Sequence, residues 1–305
     1  MAASPPPVAL EASGLVLPAD LRARLADIEI RTRRIAHAGR LGQQASRSRG
    51  PGIEFAQYRS YEPGDDPRQL DWKLFARSDR YFIREAERDS PLSLWILLDA
   101  TASMAQADGA RPQWTRLHAA RRLAACAIEI AVRQGDSVGV VAIGRDLAVQ
   151  PPAGGLRQRD QCLRVLAGVE AAGSWPDPRR LQPVIERIGD AAQVLVLGDL
   201  FDEAAVALAE RLAAARREVA SVQILTADER DFPFVGACRF EDPETGALLE
   251  CDGERVRDDF LARFAAARQA LQARLAAAGI GHVEYVVDRP ADEPLRALYG
   301  GGPRR

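Results

Sequence analysis

The sequence predicts an α/β fold in which helices cover both faces of a mostly parallel, doubly wound sheet. From residue 90 onward, segments with strand character alternate with segments of helical periodicity, which is the order of elements in such a sheet. Residues 92–98 form an apolar run that one serine interrupts, as expected of a strand buried on both faces. We therefore expect residues 92–98 to lie near the centre of the sheet.

The other elements follow in chain order. Residues 1–19 are rich in proline and alanine, which predicts a loose tail. Before the central strand we expect a helix at 20–37, strands at 53–58 and 81–87, and a helix beginning at Pro67. After it we expect helices at 114–133, 161–169, 179–188, 203–217 and 257–278, strands at 137–143, 193–197, 219–225 and 283–287, and a hairpin at 240–251. The predicted regions are a tail (1–19), a small N-terminal α+β region (20–89) and the main domain (90–305).

Composition excludes several classes of function. The chain has 305 residues and a formal net charge of −2, so no global attraction to nucleic acid or to anionic membranes is expected. The four cysteines form no C-x-x-C pair and the three histidines are scattered, which argues against a zinc site. The N-terminus lacks signal-peptide features, and no apolar run is long enough to span a bilayer. We therefore expect a cytoplasmic protein without a membrane span.

Polar side chains follow the central strand at the position where open parallel sheets bind ligands. Asp99, Thr101 and Ser103 form a D-x-T-x-S pattern, and Asp199 follows another buried strand. Because Mg²⁺ prefers oxygen ligands and keeps several waters, a carboxylate and two hydroxyls from one loop can fill part of its shell. Asp199 would reach the same edge of the sheet. An alternative stays open on spacing alone, because Asp99 and Ser103 are also suited to cap the next helix.

Two enzymatic interpretations of these motifs are weak. The segment 135–139 reads G-D-S-V-G, but a nucleophile elbow needs a strand before the serine and a helix after it, and the predicted order here is the reverse. Asp99 at a strand end also resembles an aspartate nucleophile. However, Thr101 stands where the second aspartate of such phosphatases is expected, so no acid/base group is evident.

The segment 59–72 reads R-S-Y-E-P-G-D-D-P-R-Q-L-D-W, and most of it has a structural interpretation. Pro63 and Gly64 predict a turn. Asp66 is suited to cap a helix, and Pro67 to occupy its first position. Trp72 is expected to be a largely buried aromatic anchor.

This segment also resembles the hallmark of the bacterial domain of unknown function 58 family, R-x-Y-x-P-G-D-D-x-R-x-x-D-W. The matching residues are Arg59, Tyr61, Pro63, Gly64, Asp65, Asp66, Arg68, Asp71 and Trp72. The resemblance continues through L-D-A-T-A-S-M at 98–104, G-D-S-V-G at 135–139 and D-P-E-T-G at 242–246. It covers nearly all of the chain after residue 20.

The resemblance implies a von Willebrand factor A (Rossmann-like) sheet with a metal-ion-dependent adhesion site. Weakly bound Mg²⁺ or Mn²⁺ would be held by Asp99, Thr101, Ser103 and Asp199. The family's second metal loop supplies a threonine after a glycine, and Ser174 in G-S-W at 173–175 is its counterpart here.

Members of that family are associated with MoxR-type AAA+ ATPases. The resemblance therefore implies a non-enzymatic, metal-dependent adaptor that works with such an ATPase on a client protein, in protein maturation or complex assembly. Two alternatives are a magnesium-dependent phosphohydrolase built on Asp99 and a scaffold whose metal site is vestigial.

Overall fold

The structure is a computed structural model that describes residues 15–31, 55–61, 70–86, 92–109 and 111–300. The chain divides into two compact units. The larger unit combines Met1–Arg33 with Leu92–Arg305, and the smaller unit is Arg34–Pro91.

The helices and strands are numbered in chain order. They are α1 (Ala19–Leu25), β1 (Phe55–Ser60), α2 (Trp72–Ser78), β2 (Phe82–Ala86), β3 (Ser93–Asp99), a 3₁₀ turn (Ala102–Ala105), β4 (Ala107–Asp108), β5 (Arg111–Thr115), α3 (Arg116–Gln134), β6 (Ser137–Ile143), β7 (Leu147–Ala153), α4 (Leu156–Ala167), α5 (Pro178–Ile185), β8 (Gln193–Gly198), α6 (Glu203–Ala214), β9 (Glu218–Leu225), α7 (Ala227–Asp231), β10 (Ala237–Glu241), β11 (Leu248–Asp252), α8 (Gly253–Ala277), β12 (Gly281–Val286) and α9 (Glu293–Tyr299).

The larger unit is built on a six-stranded sheet in the order β12-β9-β8-β3-β6-β7. Strands β12, β9, β8, β3 and β6 run parallel, and β7 pairs antiparallel with β6 at one edge. This confirms the predicted mostly parallel α/β sheet and the central position of the strand at 92–98. Since a helix precedes β6 and a strand follows Gly135, the G-D-S-V-G segment is no nucleophile elbow.

Helices cover both faces of this sheet, so β3 is buried on both sides. Leu94, Ile96 and Leu98 point into a core that includes residues of α1, α3, α4 and α9. Trp95 and Leu97 point into a second core that includes residues of α5, α6 and the end of α8. Alternating side chains of one strand thus supply both cores, and the carboxyl ends of β3 and β8 meet between the two helical layers.

The described N-terminal segment, residues 15–31, belongs to the larger unit. Leu15, Leu21 and Ile28 are buried in the same core as α3, and Arg133 donates to the carbonyl oxygens of Leu25 (2.9 Å) and Ile28 (2.6 Å). This differs from the predicted grouping, which assigned 1–19 to a loose tail and 20–89 to one region. The apolar side chains of this segment cover α3, which explains the difference.

The smaller unit contains an antiparallel pair, β1 and β2, and the helix α2. Asp71 caps α2, since its carboxylate accepts from the amides of Lys73 and Leu74 at 3.0 Å. The predicted turn at Pro63-Gly64 and the cap at Asp66 lie outside the described residues. The prediction that Trp72 is largely buried was wrong, because its side chain is 60% exposed and packs edge-on against Phe75.

Candidate functional site

The loop after β3 folds back on itself through short polar contacts. Asp99 Oδ1 accepts from the Thr101 amide at 2.9 Å and from the Thr101 hydroxyl at 2.8 Å. The hydroxyls of Thr101 and Ser103 lie 3.0 Å apart. Met104 is fully buried in the core beneath the 3₁₀ turn, which fixes the loop. The three predicted residues of the D-x-T-x-S pattern therefore lie together at the edge of the sheet.

These contacts use only one of the two carboxylate oxygens of Asp99. The residue is only 4% exposed, yet Oδ2 accepts no hydrogen bond from any residue that the structure describes. Burial and, to a lesser extent, the nearby negative charge of Asp199 raise the pKa of Asp99 to about 7, while the hydrogen bonds from Thr101 oppose the shift. Oδ2 is not among the fully buried polar atoms that lack a partner, so it keeps access to solvent, and a cation, a proton or a water molecule can stabilise it.

Gly198 makes room beside this carboxylate. A Cβ atom at that position would lie 2.7 Å from the Asp99 Cβ and 3.1 Å from Oδ2. Because real Cβ contacts are not that short, any larger residue would displace Asp99. Glycine at the end of β8 therefore keeps open the space that Oδ2 faces.

Asp199 lies at the same edge, as predicted, because β8 and β3 are parallel neighbours with Leu98 paired to Leu197. Its Oδ1 accepts from the Phe201 amide at 3.2 Å and its Oδ2 from Arg116 at 2.9 Å. The turn after Asp199 uses Leu200 in a left-handed conformation, with φ of 55°, which is unfavourable for a residue with a side chain. Both oxygens of Asp199 are thus occupied within the protein.

Arg116 is the cation of this cluster. It is the first residue of α3, is only 4% exposed, and donates to Asp199, to the Ser103 carbonyl oxygen at 3.0 Å and to Glu229. Its guanidinium also lies 5.1 Å from the Phe201 ring centroid. A helix N-terminus disfavours a cation, so these acidic partners are what make the position acceptable.

Glu229 is held for this pairing by a capping box at the start of α7. Its carboxylate accepts from the Thr226 amide at 2.8 Å, while its own amide donates to the Thr226 hydroxyl at 3.3 Å. Arg116 therefore connects the ends of β3, β8 and β9 through one guanidinium.

Glu244 brings a further carboxylate to the loop. It lies in the turn between β10 and β11, and its negative charge adds to the rise in the pKa of Asp99. Burial raises the pKa of Glu244 itself, and the nearby Thr101 opposes that shift.

Ser174 stands on a loop that runs beside the first one. The Ala102 amide donates to the Gly173 carbonyl oxygen at 2.8 Å, and the Ala172 amide donates to that of Ala100 at 2.9 Å. Ser174 itself is exposed, and within the described structure it makes no hydrogen bond to the D-x-T-x-S residues. Its role as a metal ligand stays a prediction.

The donor set fits a hard divalent cation that depends partly on hydroxyls. Among the described residues, no group of three or more His, Cys, Asp or Glu side chains is arranged to hold a metal ion. Mg²⁺ nevertheless binds through one or two carboxylates and keeps several waters. The Oδ2 of Asp99, which has no protein donor, and the adjacent hydroxyls of Thr101 and Ser103 match that requirement, whereas both oxygens of Asp199 are already paired, with Arg116 and with the Phe201 amide.

Two site residues were missed by the sequence analysis. Arg116 could have been identified from the sequence. An arginine directly after the cap Thr115 is unfavourable for the helix dipole, so it indicates acidic partners nearby. Glu244 carried none in its local pattern, because a glutamate in a hairpin turn is normally a solvated residue.

Comparison with known proteins finds uncharacterized relatives. Uncharacterized proteins Rv1480 of Mycobacterium tuberculosis and Mb1516 of Mycobacterium bovis are each 28% identical to this chain over 235 residues, covering 74% of it and 71% of their own length.

Solved structures of membrane-related proteins are also similar. The aerotolerance-related membrane protein from Bacteroides fragilis matches with a TM-score of 0.41 and 16% identity, over 68% of this chain and 96% of that one. An uncharacterized membrane spanning protein from Vibrio fischeri matches with a TM-score of 0.25 and 14% identity, over 64% and 91%. These titles contradict the cytoplasmic location predicted from the sequence, which is not retained. Within the described residues, no helix combines the length and apolar character needed to cross a membrane.

A family model matches residues 57–270 of the chain, which includes both the segment around Trp72 and the Asp99 loop. The matched stretch is well over half of the 305 residues. The chain therefore belongs to the family described as protein of unknown function DUF58.

Proposed function

We propose that this protein is a non-enzymatic adaptor that uses a weakly bound Mg²⁺ or Mn²⁺ to hold an acidic side chain of a partner. The proposal depends above all on one observation, the unpaired Oδ2 of a buried Asp99 beside two hydroxyls. A carboxylate in that position is stabilised by a cation, and the chain places no described cationic side chain against it.

Each residue has a separate task in this proposal. Thr101 and Ser103 would hold the ion with neutral hydroxyls, and Asp99 would balance part of its charge. When bound, the ion supplies an electrophilic centre that accepts a carboxylate oxygen. Arg116 keeps Asp199 in place and neutralises it, so the site does not saturate the ion with negative charge. Ser174 would complete the site from the second loop.

The partner and the finer fold type follow from the family resemblance. The five parallel strands and the polar loops at their carboxyl ends support a sheet of von Willebrand factor A type. A MoxR-type AAA+ ATPase is the proposed partner, acting with this chain on a client in protein maturation or complex assembly.

A scaffold with a vestigial metal site is the second candidate, and Arg116 favours it. This buried guanidinium already links Asp199, Glu229 and the Ser103 carbonyl oxygen, which is a task that a structural cation would otherwise perform. A phosphohydrolase built on Asp99 has no such support, since Thr101 stands where the second acid is needed and burial favours protonated Asp99.

Isothermal titration of the purified ATPase into this protein tests the proposal. Four titrations combine wild type and Asp99→Ala with Mg²⁺ and with EDTA. Metal and partner should strengthen each other's binding by the same factor, so we expect Mg²⁺ to tighten wild-type binding by about tenfold and to have no effect on Asp99→Ala.

Asp190→Ala is the matched control, because this aspartate is 84% exposed and precedes β8 at the opposite end of the strand. It should behave like wild type. Equal affinities in all four titrations would contradict the adaptor mechanism and favour the scaffold.

A further inference from the structure

Two of the four cysteines face each other across the hairpin formed by β10 and β11. Cys238 of β10 is the direct cross-strand partner of Cys251 of β11 in the antiparallel register. Residues directly opposite each other in such a pair project their side chains from the same face of the ribbon. Both cysteines are half-buried, and both thiols are free. The register of the hairpin therefore places two free thiols side by side.

The backbone separation at this pair suits a disulfide. The Gly253 amide donates to the Gly236 carbonyl oxygen at 2.8 Å, and hydrogen-bonded pairs recur at every second residue of an antiparallel ladder. The pair of Cys238 and Cys251 lies two residues further along each strand, so it is also a hydrogen-bonded pair, with a typical Cα–Cα separation of about 5.5 Å. Disulfides span Cα–Cα separations of about 4.4–6.8 Å, so the strands need no rearrangement.

The side chains have a small gap to close before the sulfur atoms meet. Cβ atoms of opposed residues lie about 4.5–5.5 Å apart, and they are closer in non-hydrogen-bonded pairs than in this kind, whereas a disulfide holds them at about 3.5–4.5 Å. The Cys238 thiol now donates to the Gly236 carbonyl oxygen at 3.5 Å, a weak hydrogen bond that a rotation toward Cys251 would break. The bond is attainable but strained, and strained disulfides are the readily reduced ones.

The hairpin can supply this movement because it is a two-stranded ribbon. Within the described part of the chain, β10 and β11 pair only with each other, and such ribbons twist more than strands of a wide sheet. Phe240 anchors β10 by packing against Phe232 and Phe234, with ring centroids 5.9 Å and 5.0 Å apart. On β11, Leu248 and Leu249 are 57% and 64% exposed. Packing therefore fixes β11 less firmly than β10, and a cross-link would hold the two strands together.

The other two cysteines are unsuited to the same chemistry. Cys126 and Cys162 are fully buried, and burial raises the pKa of each thiol to about 12. Because the thiolate is the form that attacks a disulfide, these two residues should stay reduced under conditions that oxidise the hairpin pair. The chain thus contains its own unreactive reference thiols.

We propose that Cys238 and Cys251 form a reversible disulfide by exchange with a low-molecular-weight disulfide, and that this bond locks the β10–β11 hairpin. One cysteine thiolate attacks a sulfur atom of the small disulfide, whose S–S bond breaks and releases one small thiol that takes up a proton. The other cysteine thiolate then attacks the protein sulfur of this mixed disulfide, which forms the cross-link and releases the second small thiol with the second proton. The two cysteines lose two electrons, and the small disulfide gains them.

Equilibration of the protein with buffers of oxidised and reduced glutathione, in EDTA, tests this. Tryptic peptides 231–239 and 240–255 each contain one of the two cysteines, so mass spectrometry detects the cross-link as a linked peptide pair. We expect this pair to be the main oxidised product of wild type and to be lost on reduction, with both buried cysteines unmodified. In the matched variant Cys238→Ser, Cys251 should carry glutathione instead, because no second thiol can expel it.

Hydrogen exchange of the amides at 239–250 is the second measurement. Oxidation should slow it at least about tenfold in wild type, because a cross-link removes open conformations of the hairpin. It should leave exchange unchanged in Cys238→Ser, which in reduced form should match reduced wild type if the fold is intact. Wild type that carries glutathione on both cysteines without a cross-link, or a cross-link that leaves exchange unchanged, would overturn the inference. Either result would leave the proposed function standing.

Discussion

At the scale of single residues, charge at the sheet edge is unevenly balanced. Arg116 neutralises Asp199 and Glu229 through direct contacts, while Asp99 and Glu244 have no cationic partner among the described residues. Burial and the neighbouring carboxylates raise the pKa of both acids. In the absence of a cation, a proton is the species that stabilises them, so pH and metal should compete for the same residues.

The first consequence is a pH dependence of stability in EDTA. The pKa of Asp99 is raised to about 7 in the folded protein, against about 3.9 when unfolded. The folded state then binds more protons between these values, so the contribution of Asp99 to stability is full below pH 4 and is lost as pH rises through 7. Thermal unfolding at several pH values in EDTA measures this loss.

Asp99→Asn should flatten this pH profile, because the amide does not titrate. At pH values above 7, where Asp99 is ionised, adding Mg²⁺ should raise the thermal unfolding midpoint of wild type and leave that of Asp99→Asn unchanged. The contradicting result is a stability of wild type in EDTA that rises between pH 5 and pH 7, with the same rise in Asp99→Asn. It would show that Asp99 is already ionised in this range without a cation.

At the scale of helices and strands, α2 is a short helix whose start depends on one side chain. Asp71 accepts from two amides of its first turn, and no residue of α2 is buried. Packing therefore contributes little to holding this helix in place, and the cap should matter more than it does in a helix such as α3.

Asp71→Ala should destabilise α2 by about 1 kcal/mol. Local opening of the helix would then be about fivefold more frequent, and hydrogen exchange of the amides at 75–78 would be faster by that factor. Arg77→Ala is the control, since Arg77 is exposed in the last turn and its loss should change exchange much less. Equal exchange rates in both variants would argue against the cap.

Elements were predictable where their signal is local. The apolar run ending at Leu98 identified the central strand, and its continuous apolar character predicted burial on both faces. Trp72 was expected to be a largely buried aromatic anchor, but α2 leaves it 60% exposed. Arg116 meets Asp199 across 83 positions of sequence. Such a contact is set by strand order, which local periodicity does not contain.

Glu244 shows the same limit. It was noted within a family motif but not assigned to the site, because a turn pattern says how the backbone bends and not what its tip touches. The Asp99–Asp199 pairing was predictable, since parallel neighbouring strands bring their carboxyl ends together.

At the scale of the whole molecule, the family match includes residues of both units, whereas the candidate site lies within the larger one. Its residues follow the ends of β3, β8 and β9 and the start of α3, and the two hydrophobic cores join β3, β8 and α3. An adaptor needs this rigidity, because a partner's acid can be held only where the ligands keep their positions.

The most direct measurement is a crystal structure of the protein grown with Mn²⁺, with the ion located by its anomalous scattering. We expect one strong peak beside Asp99, Thr101 and Ser103, with Asp199 still paired to Arg116. The Mn²⁺ concentration should be one that fills comparable sites in other proteins. A well-ordered loop without an anomalous peak would then contradict the metal-dependent adaptor. The scaffold, in which Arg116 is the structural cation, would remain.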